Sequence, residues 1–339
     1  MTKCGLDVFF SEADGPAGPS GLPSGVLFLH DSELREMDDL CSKITRLFEK
    51  SSYRKVSPPL FEFYETFEKG SGADIARKTF SFKDKEGRLL AMRYDMTTPI
   101  ARMASMLSNA DIPLRYYYCE DVLREQPLHK GKLRQMKQAG VELIGAGGPE
   151  ADAEITALLG KTLGFLDREY RIVMGDVGLY KYILTKMDLA GRTAEAVHKL
   201  YNLKDTVALS ELIENSRAPG KYKKLFLELP YITGNAAAVT IKLRNLPGEF
   251  HPYFERLLSL EKALPDDIRG HVILDMGLIK DFSYYTSLTL EGYIRNSGYP
   301  AAGGGRYDRL FESWGKDYPA VGFALDVGLY NNIFKKRDL

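Results

Sequence analysis

The residues in this chain best suited to chemistry are polar and carry the spacing of strand residues. Arg93, Asp95, Arg124, Gln138, Glu142, Tyr284 and Tyr285 fall on or at the ends of stretches with strand character. Gln138, Gly140 and Glu142 alternate with apolar neighbours, and a period of two puts all three on one sheet face. A solvated face would accommodate them. The functional alternative is a polar pocket over a sheet: buried carboxylates require cationic partners, and a ligand bearing an ammonium and an imidazole would supply them. Gly303, Gly304 and Gly305, followed by Arg306, Tyr307 and Asp308, form the most conspicuous glycine cluster. It lacks the GxxxxGK(S/T) of a phosphate loop and the GxGxxG of a dinucleotide fold, so alone it reads as a tight connection. Beside other observations it gains weight as a ligand cradle, because glycine lets the backbone approach a ligand closely. The charged segment from Arg124 to Arg134, with Lys130 and Lys132 between, reads by default as a solvated hairpin. A nucleic-acid patch and a triphosphate-facing loop are its alternatives.

Composition narrows the function classes. The 339 residues hold 46 Lys plus Arg against 46 Asp plus Glu, so zero net charge offers no global electrostatic footprint for nucleic acid. Hydrophobic residues at 44% and charged ones at 27% are those of a soluble globular protein. No apolar run approaches the ~18–20 residues of a membrane span. The first thirty residues lack the basic and apolar regions of a secretion signal, which points to the cytosol. Cys4, Cys41 and Cys119 are far apart in sequence and without CxxC spacing, suggesting neither a disulfide framework nor a zinc site. His30, His129, His198, His251 and His271 are equally scattered, so no metal and no cofactor is expected.

The elements that must position the polar residues follow from periodicity. Residues 11–25, rich in Gly, Pro and Ser, read as an irregular entry. From Asp31 or Ser32 as N-cap, Leu34, Met37, Cys41, Ile44 and Phe48 draw one buried stripe along a helix. Pro58 and Pro59 stop it before a short strand at 60–63, and 79–82 with 89–94 form a hairpin around a turn containing Gly87. Strands are expected at 114–119, 140–144, 171–175, 272–276, 283–293 and 320–324, with a helix opening at Pro149. Helices at 179–189, 193–200, 207–214, 221–227, 236–246 and 253–263 make an all-helical block. The block, 178–264, reads as an insertion into one α+β core built from 1–177 and 265–339. Hairpin connections favour an antiparallel sheet.

Taken in order, these segments resemble the class II aminoacyl-tRNA synthetase core, specifically the histidyl-tRNA synthetase branch. The long helix and its Pro58-Pro59 strand look like motif 1, the family's dimer interface. LRYYYCEDVLREQPLHKGKLRQMKQAGVELIGAGGPEADAEI looks like motif 2 with its following strand and helix, and YPAVGFALDVGLY looks like motif 3. FSYYTSLTLEGY and GGGRYDRL extend the similarity over nearly the whole chain. The resemblance implies an antiparallel six-stranded sheet flanked by helices, acting as a dimer. Matched position by position, it implies a histidine-binding set. Asp95 would take the α-amino group with Gln138 as its helper, Arg124 would take the carboxylate, and Glu142 and Tyr285 would read the imidazole. Thr97, Lys280 and Tyr284 complete the set.

The same matching implies degraded adenylation machinery. The family's motif 3 arginine falls at Leu329, its second catalytic arginine at Lys280, its motif 2 acid at Gln126 and its adenine-stacking aromatic at Met136. Losing one preorganised transition-state donor costs on the order of 10²–10³ in rate, so no catalytic residues are expected. The family's C-terminal anticodon-binding domain is not expected either. A kept histidine pocket with a lost ATP site resembles the regulatory subunits of ATP phosphoribosyltransferase. Those synthetase-like proteins join a short-form catalytic subunit at the first step of histidine biosynthesis. The resemblance implies a non-catalytic homodimer within a hetero-oligomer, with histidine as ligand and neither nucleic acid nor membrane as partner. A divergent histidyl-tRNA synthetase or related ATP-dependent ligase is one alternative, and a free-standing histidine sensor is another.

Overall fold

The computed structural model describes residues 22–71, 78–107, 111–126, 133–203, 205–216, 218–244, 246–279 and 284–328. Most of the irregular entry, Lys280, Leu329 and the centre of the charged segment lie outside them. The first helix, α1 (Asp31–Lys50), buries Met37, Leu40, Ile44 and Phe48, the stripe drawn by the sequence. Its N-cap is His30, one residue earlier than expected, and the His30 N–H donates to the Glu33 carboxylate at 2.7 Å. That bond occupies a donor at the helix start, where an acid also meets the positive end of the dipole.

After α1 come β1 (Arg54–Lys55), β2 (Phe61–Phe63), α2 (Tyr64–Ser71), β3 (Ser81–Lys83), β4 (Leu89–Met92) and α3 (Thr97–Ser105). Strands β2, β4 and β3 form a separate antiparallel sheet. The long hairpin β5 (Leu114–Leu123) and β6 (Gln135–Ile144) precedes α4 (Gly148–Leu163) and β7 (Arg171–Asp176). The helices α5 (Val177–Lys186), α6 (Gly191–Asn202), α7 (Thr206–Glu214) and α8 (Gly220–Glu228) follow, then the two-residue strand β8 (Thr233–Gly234). Next are α9 (Ala236–Leu243), α10 (His251–Ala263), the single turn α11 (Asp266–Arg269) and β9 (Val272–Asp275). The last strands are β10 (Leu288–Tyr293), β11 (Ala302–Arg306) and β12 (Ala320–Asp326).

The main sheet corrects the expected six antiparallel strands. Among the described residues it has nine, in the order β1-β5-β6-β12-β11-β10-β7-β9-β8, and it is mixed. Its middle, from β5 to β7, runs antiparallel throughout, but β1 joins β5 in parallel and β9 joins β7 in parallel. Two-residue edge strands such as β1 and β8 carry no readable alternation, so the sequence could not announce them. The parallel β7–β9 pair arises because the chain leaves β7, crosses the 178–264 segment and returns in the same direction, as any crossover between parallel neighbours must; that segment is not all helix, since β8 within it pairs with β9. A second correction concerns Gly303–Gly305. They lie in β11, an interior strand, rather than in a tight connection. Helix α3 was also missed, because its short apolar run follows Asp95 without a periodic stripe of its own.

Alternation fixes which side of the sheet does what. Ala139, Val141 and Leu143 of β6 are fully buried on the side covered by α1 and α4, while Gln138, Gly140 and Glu142 point to the other side. That second side carries the site.

Candidate functional site

On that face lies a cavity of about 250 Å³. Asp95, Thr97, Arg124, Gln138, Glu142, Tyr284 and Tyr285 all line it, although they come from separate places along the chain. Asp95 sits between β4 and α3, Thr97 opens α3, Arg124 follows β5, Gln138 and Glu142 lie on β6, and the two tyrosines precede β10. Lys280 is outside the described residues. Arg93 is buried but does not line the cavity: its guanidinium donates to the Asp121 carbonyl at 2.7 Å and the Pro58 carbonyl at 2.6 Å, and pairs with Glu120 at 3.2 Å. It is a structural tie.

Glu142 is 1% exposed and stands opposite Gly322 of β12. A Cβ at Gly322 would lie 2.0 Å from Glu142 Oε2, and one at Gly140 would lie 2.5 Å from the Tyr118 hydroxyl. Both glycines are therefore steric requirements of the floor, which leaves its volume to polar side chains from neighbouring strands. Thr97 Oγ1 donates to Glu142 Oε1 at 2.9 Å, and the Tyr307 hydroxyl donates to Glu142 Oε2. Burial pushes Glu142 up to about 8; the Tyr307 and Thr97 hydroxyls oppose the shift and the charge of Asp95 adds to it. Asp95 Oδ1 accepts the Thr98 N–H at 2.8 Å, and Oδ2 accepts Thr98 Oγ1 at 3.2 Å. Burial also raises Asp95, against those bonds and the positive charge of Arg124.

Arg124 is aimed by its own backbone and side chain. Its N–H donates to the Arg134 carbonyl, continuing the β5–β6 hairpin, and its Nε donates to the Tyr94 carbonyl at 2.8 Å. The rings of Tyr284 and Tyr285 meet at 5.0 Å between centroids, and Tyr284 meets Tyr307 edge-on at 6.0 Å. Lys181 of α5 donates to the Tyr285 carbonyl at 2.5 Å, which ties the tyrosine pair to the helical block. The other end of the cavity is more apolar, with Leu133, Met136, Tyr299 and Pro300 beside Gln126 and Asp326.

Two residues of the site were missed by sequence reasoning. Tyr307 was noticed only as part of a glycine cluster. Its signal was parity, since Gly303, Gly305 and Tyr307 continue one alternation once β11 is read as a strand. Tyr118 is buried and lines the cavity, and its hydroxyl has no hydrogen-bond partner among the described residues. It lies opposite Gly140 in the β5–β6 register, so pairing those two strands would have found it. Among the described residues no group of three or more His, Cys, Asp or Glu could hold a metal, and no helix is long and apolar enough to cross a membrane.

With two buried acids and one arginine lining the cavity, this arrangement suits a small ligand that carries positive charge for the acids. Comparison with known proteins specifies the lineage. Residues 25–328 match the histidyl-tRNA synthetase family profile. The ATP phosphoribosyltransferase regulatory subunit of Moorella thermoacetica is 35% identical over 322 residues, spanning 91% of this chain and 80% of its own. That of Symbiobacterium thermophilum is 34% identical over 317 residues, spanning 92% and 79%. A solved structure from Bacillus halodurans, described as an ATP phosphoribosyltransferase regulatory subunit/histidyl-tRNA synthetase, matches with a TM-score of 0.79 at 27% identity, covering 91% of this chain and 82% of that one. The chain belongs to the histidyl-tRNA synthetase family and, within it, to the ATP phosphoribosyltransferase regulatory subunits.

Proposed function

We propose that this chain is a regulatory subunit that binds histidine in the cavity above β6 and β12, without chemistry of its own. It supports a short-form ATP phosphoribosyltransferase catalytic subunit, as a homodimer within a hetero-oligomer, and conveys histidine feedback at the first step of histidine biosynthesis. The observation that carries the reading is the pair of buried carboxylates, Asp95 and Glu142, facing one cavity. Glu142 is met by hydroxyls, and Arg124 acts on Asp95 by its charge without a hydrogen bond. Histidine supplies what they lack: an ammonium for Asp95 with Gln138 beside it, and an imidazole between Glu142 and Tyr285. Its carboxylate goes to Arg124. Charge-assisted bonds of this kind contribute about 1.5–3 kcal/mol each.

The absence of chemistry rests on residues at the opposite end. The resemblance puts Gln126 and Met136 where the synthetases have their acid and stacking ring, and Gln126 turns its amide to the Leu133 carbonyl. Coupling to the partner must be reciprocal, so histidine alters phosphoribosyl transfer and the partner's substrates alter histidine affinity.

Calorimetric titration of histidine into wild type and Glu142→Ala tests the site. The variant should bind at least about tenfold more weakly, the equivalent of one lost charge-assisted bond; equal affinity would place histidine elsewhere. Phosphoribosyl transfer by a cognate short-form subunit, measured with and without this chain, tests the role. No dependence on this chain would defeat it, and robust histidine-dependent ATP–pyrophosphate exchange would restore a synthetase reading.

A further inference from the structure

Cys41 and Cys119 are 78 residues apart in sequence, yet α1 and β5 bring their sulfurs to 3.1 Å. Spacing alone hid this pair, because it forms across two elements that only the fold places together. Both cysteines are free thiols of intermediate burial. The two are not equivalent. The Cys119 thiol donates to the Cys41 sulfur, and that bond, with the charge of Lys137, holds the Cys41 thiol below the ordinary value; partial burial, Asp38 and Asp121 oppose it. Lys137 is held in place on β6 by Asp121 at 3.3 Å. Cys41 is thus the better nucleophile, with a second thiol already beside it.

We propose that Cys41 and Cys119 form a reversible dithiol–disulfide site that exchanges with small-molecule disulfides of the glutathione class. In the first step the Cys41 thiolate bonds to one sulfur of oxidised glutathione. The glutathione S–S bond breaks, its electron pair leaves on the other sulfur, and that sulfur takes the proton released by Cys41. In the second step the Cys119 thiolate attacks the Cys41 sulfur. The Cys41–glutathione bond breaks, and the departing sulfur takes the proton of Cys119. Two electrons pass from the protein to glutathione disulfide, yielding one protein disulfide and two reduced glutathiones.

The location gives this exchange a structural consequence. Cys119 follows Tyr118 on β5, and its partner on β6 is Ala139, between Gln138 and Gly140. Tyr118 and Gln138 line the cavity on one face of the sheet, while Cys119 and Ala139 face α1 on the other. The bond would therefore pin α1 directly behind the cavity floor. It requires no assumption about the cavity's ligand, so it stands or falls separately from histidine binding.

Incubating the full wild-type chain with oxidised glutathione, followed by non-reducing peptide mapping, tests the proposal. The expected result, whatever the state of Cys4, is loss of the Cys41 and Cys119 thiols, no glutathione on either, and one linked peptide pair containing them, two hydrogens lighter than the two reduced peptides together. Cys119→Ser should instead retain a single glutathione on Cys41, because the resolving thiol is gone. Glutathione held stably on wild-type Cys41 or Cys119, a link from either to Cys4, or both thiols remaining free would each overturn the assignment.

Discussion

Asp152 and Glu142 are both acids buried against the central strands, on opposite sides of the sheet, and they are solvated by the protein in opposite ways. Asp152 of α4 is held by Arg306 at 2.7 Å and Arg256 at 3.2 Å, and Arg256 also donates to Ser287 at 2.7 Å. The Asp152 carboxylate thus has its counter-charges within the chain. Among the described residues Glu142 is met by hydroxyls, and the nearby acid Asp95 makes its position worse. A buried carboxylate compensated internally serves the fold, whereas one left without a cation lowers stability and is retained where a ligand brings the missing charge. Arg306 and Tyr307 are consecutive at the end of β11, so one stretch of chain serves both clusters.

The difference between the two acids is largest at Arg306. Arg306→Met leaves Asp152 with the half-exposed Arg256 alone and should cost about 3–5 kcal/mol of stability in urea unfolding. A loss below about 1 kcal/mol would mean that Asp152 does not depend on its internal partner.

Glu142→Gln should act in the opposite direction. The folded chain holds the Glu142 proton up to about 8, whereas the unfolded chain releases it near 4.5. Stability from this group is therefore complete below the unfolded value and is lost as pH rises through about 8. Unfolding of the ligand-free variant at pH 9 should show it more stable than wild type by a few kcal/mol, with the gap closing toward pH 5. In the wild type, histidine bound as imidazolium against ionised Glu142 takes up a proton above the pH at which the empty site ionises. Its affinity should then fall about tenfold per pH unit in that range, and calorimetry in a buffer series would detect the uptake. A flat profile would put the imidazole elsewhere.

Tyr307→Phe is the smallest and sharpest test. It removes one donor from Glu142, should cost about 1 kcal/mol, and should move the carboxyl still higher. The pH at which ligand-free stability stops falling should shift upward relative to wild type; an unchanged profile would deny Tyr307 its role.

Much of this site is legible in the amino-acid sequence. Gln138 and Glu142 announce a shared face because strand parity is local, and Asp95, Arg124 and the tyrosine pair follow from ordered resemblance. What stays hidden is non-local. Tyr118 becomes relevant only when β5 pairs with β6, and Cys41 meets Cys119 only when α1 lies on the sheet. Helix stripes such as Met37, Leu40, Ile44 and Phe48 are legible because each turn repeats the signal. The edges of the sheet are not, since two residues repeat nothing. The glycines of β11 mislead for a related reason: without a Cβ they carry no alternation, and their strand identity is imposed by β10 and β12 on either side.

The adjacency of β7 and β9 has an evolutionary consequence. Between β7 and β9 the chain runs through helices and the outermost strand β8, all beyond β7 in the sheet order, so lengthening or shortening that excursion leaves the register from β5 to β7 untouched. Descendants could remodel the outer helices for a new associate while inheriting the same cavity floor. Two clasps limit that freedom, Arg256 on Asp152 and Lys181 on the Tyr285 carbonyl. Lineages that rebuild the block are expected to keep an equivalent of each.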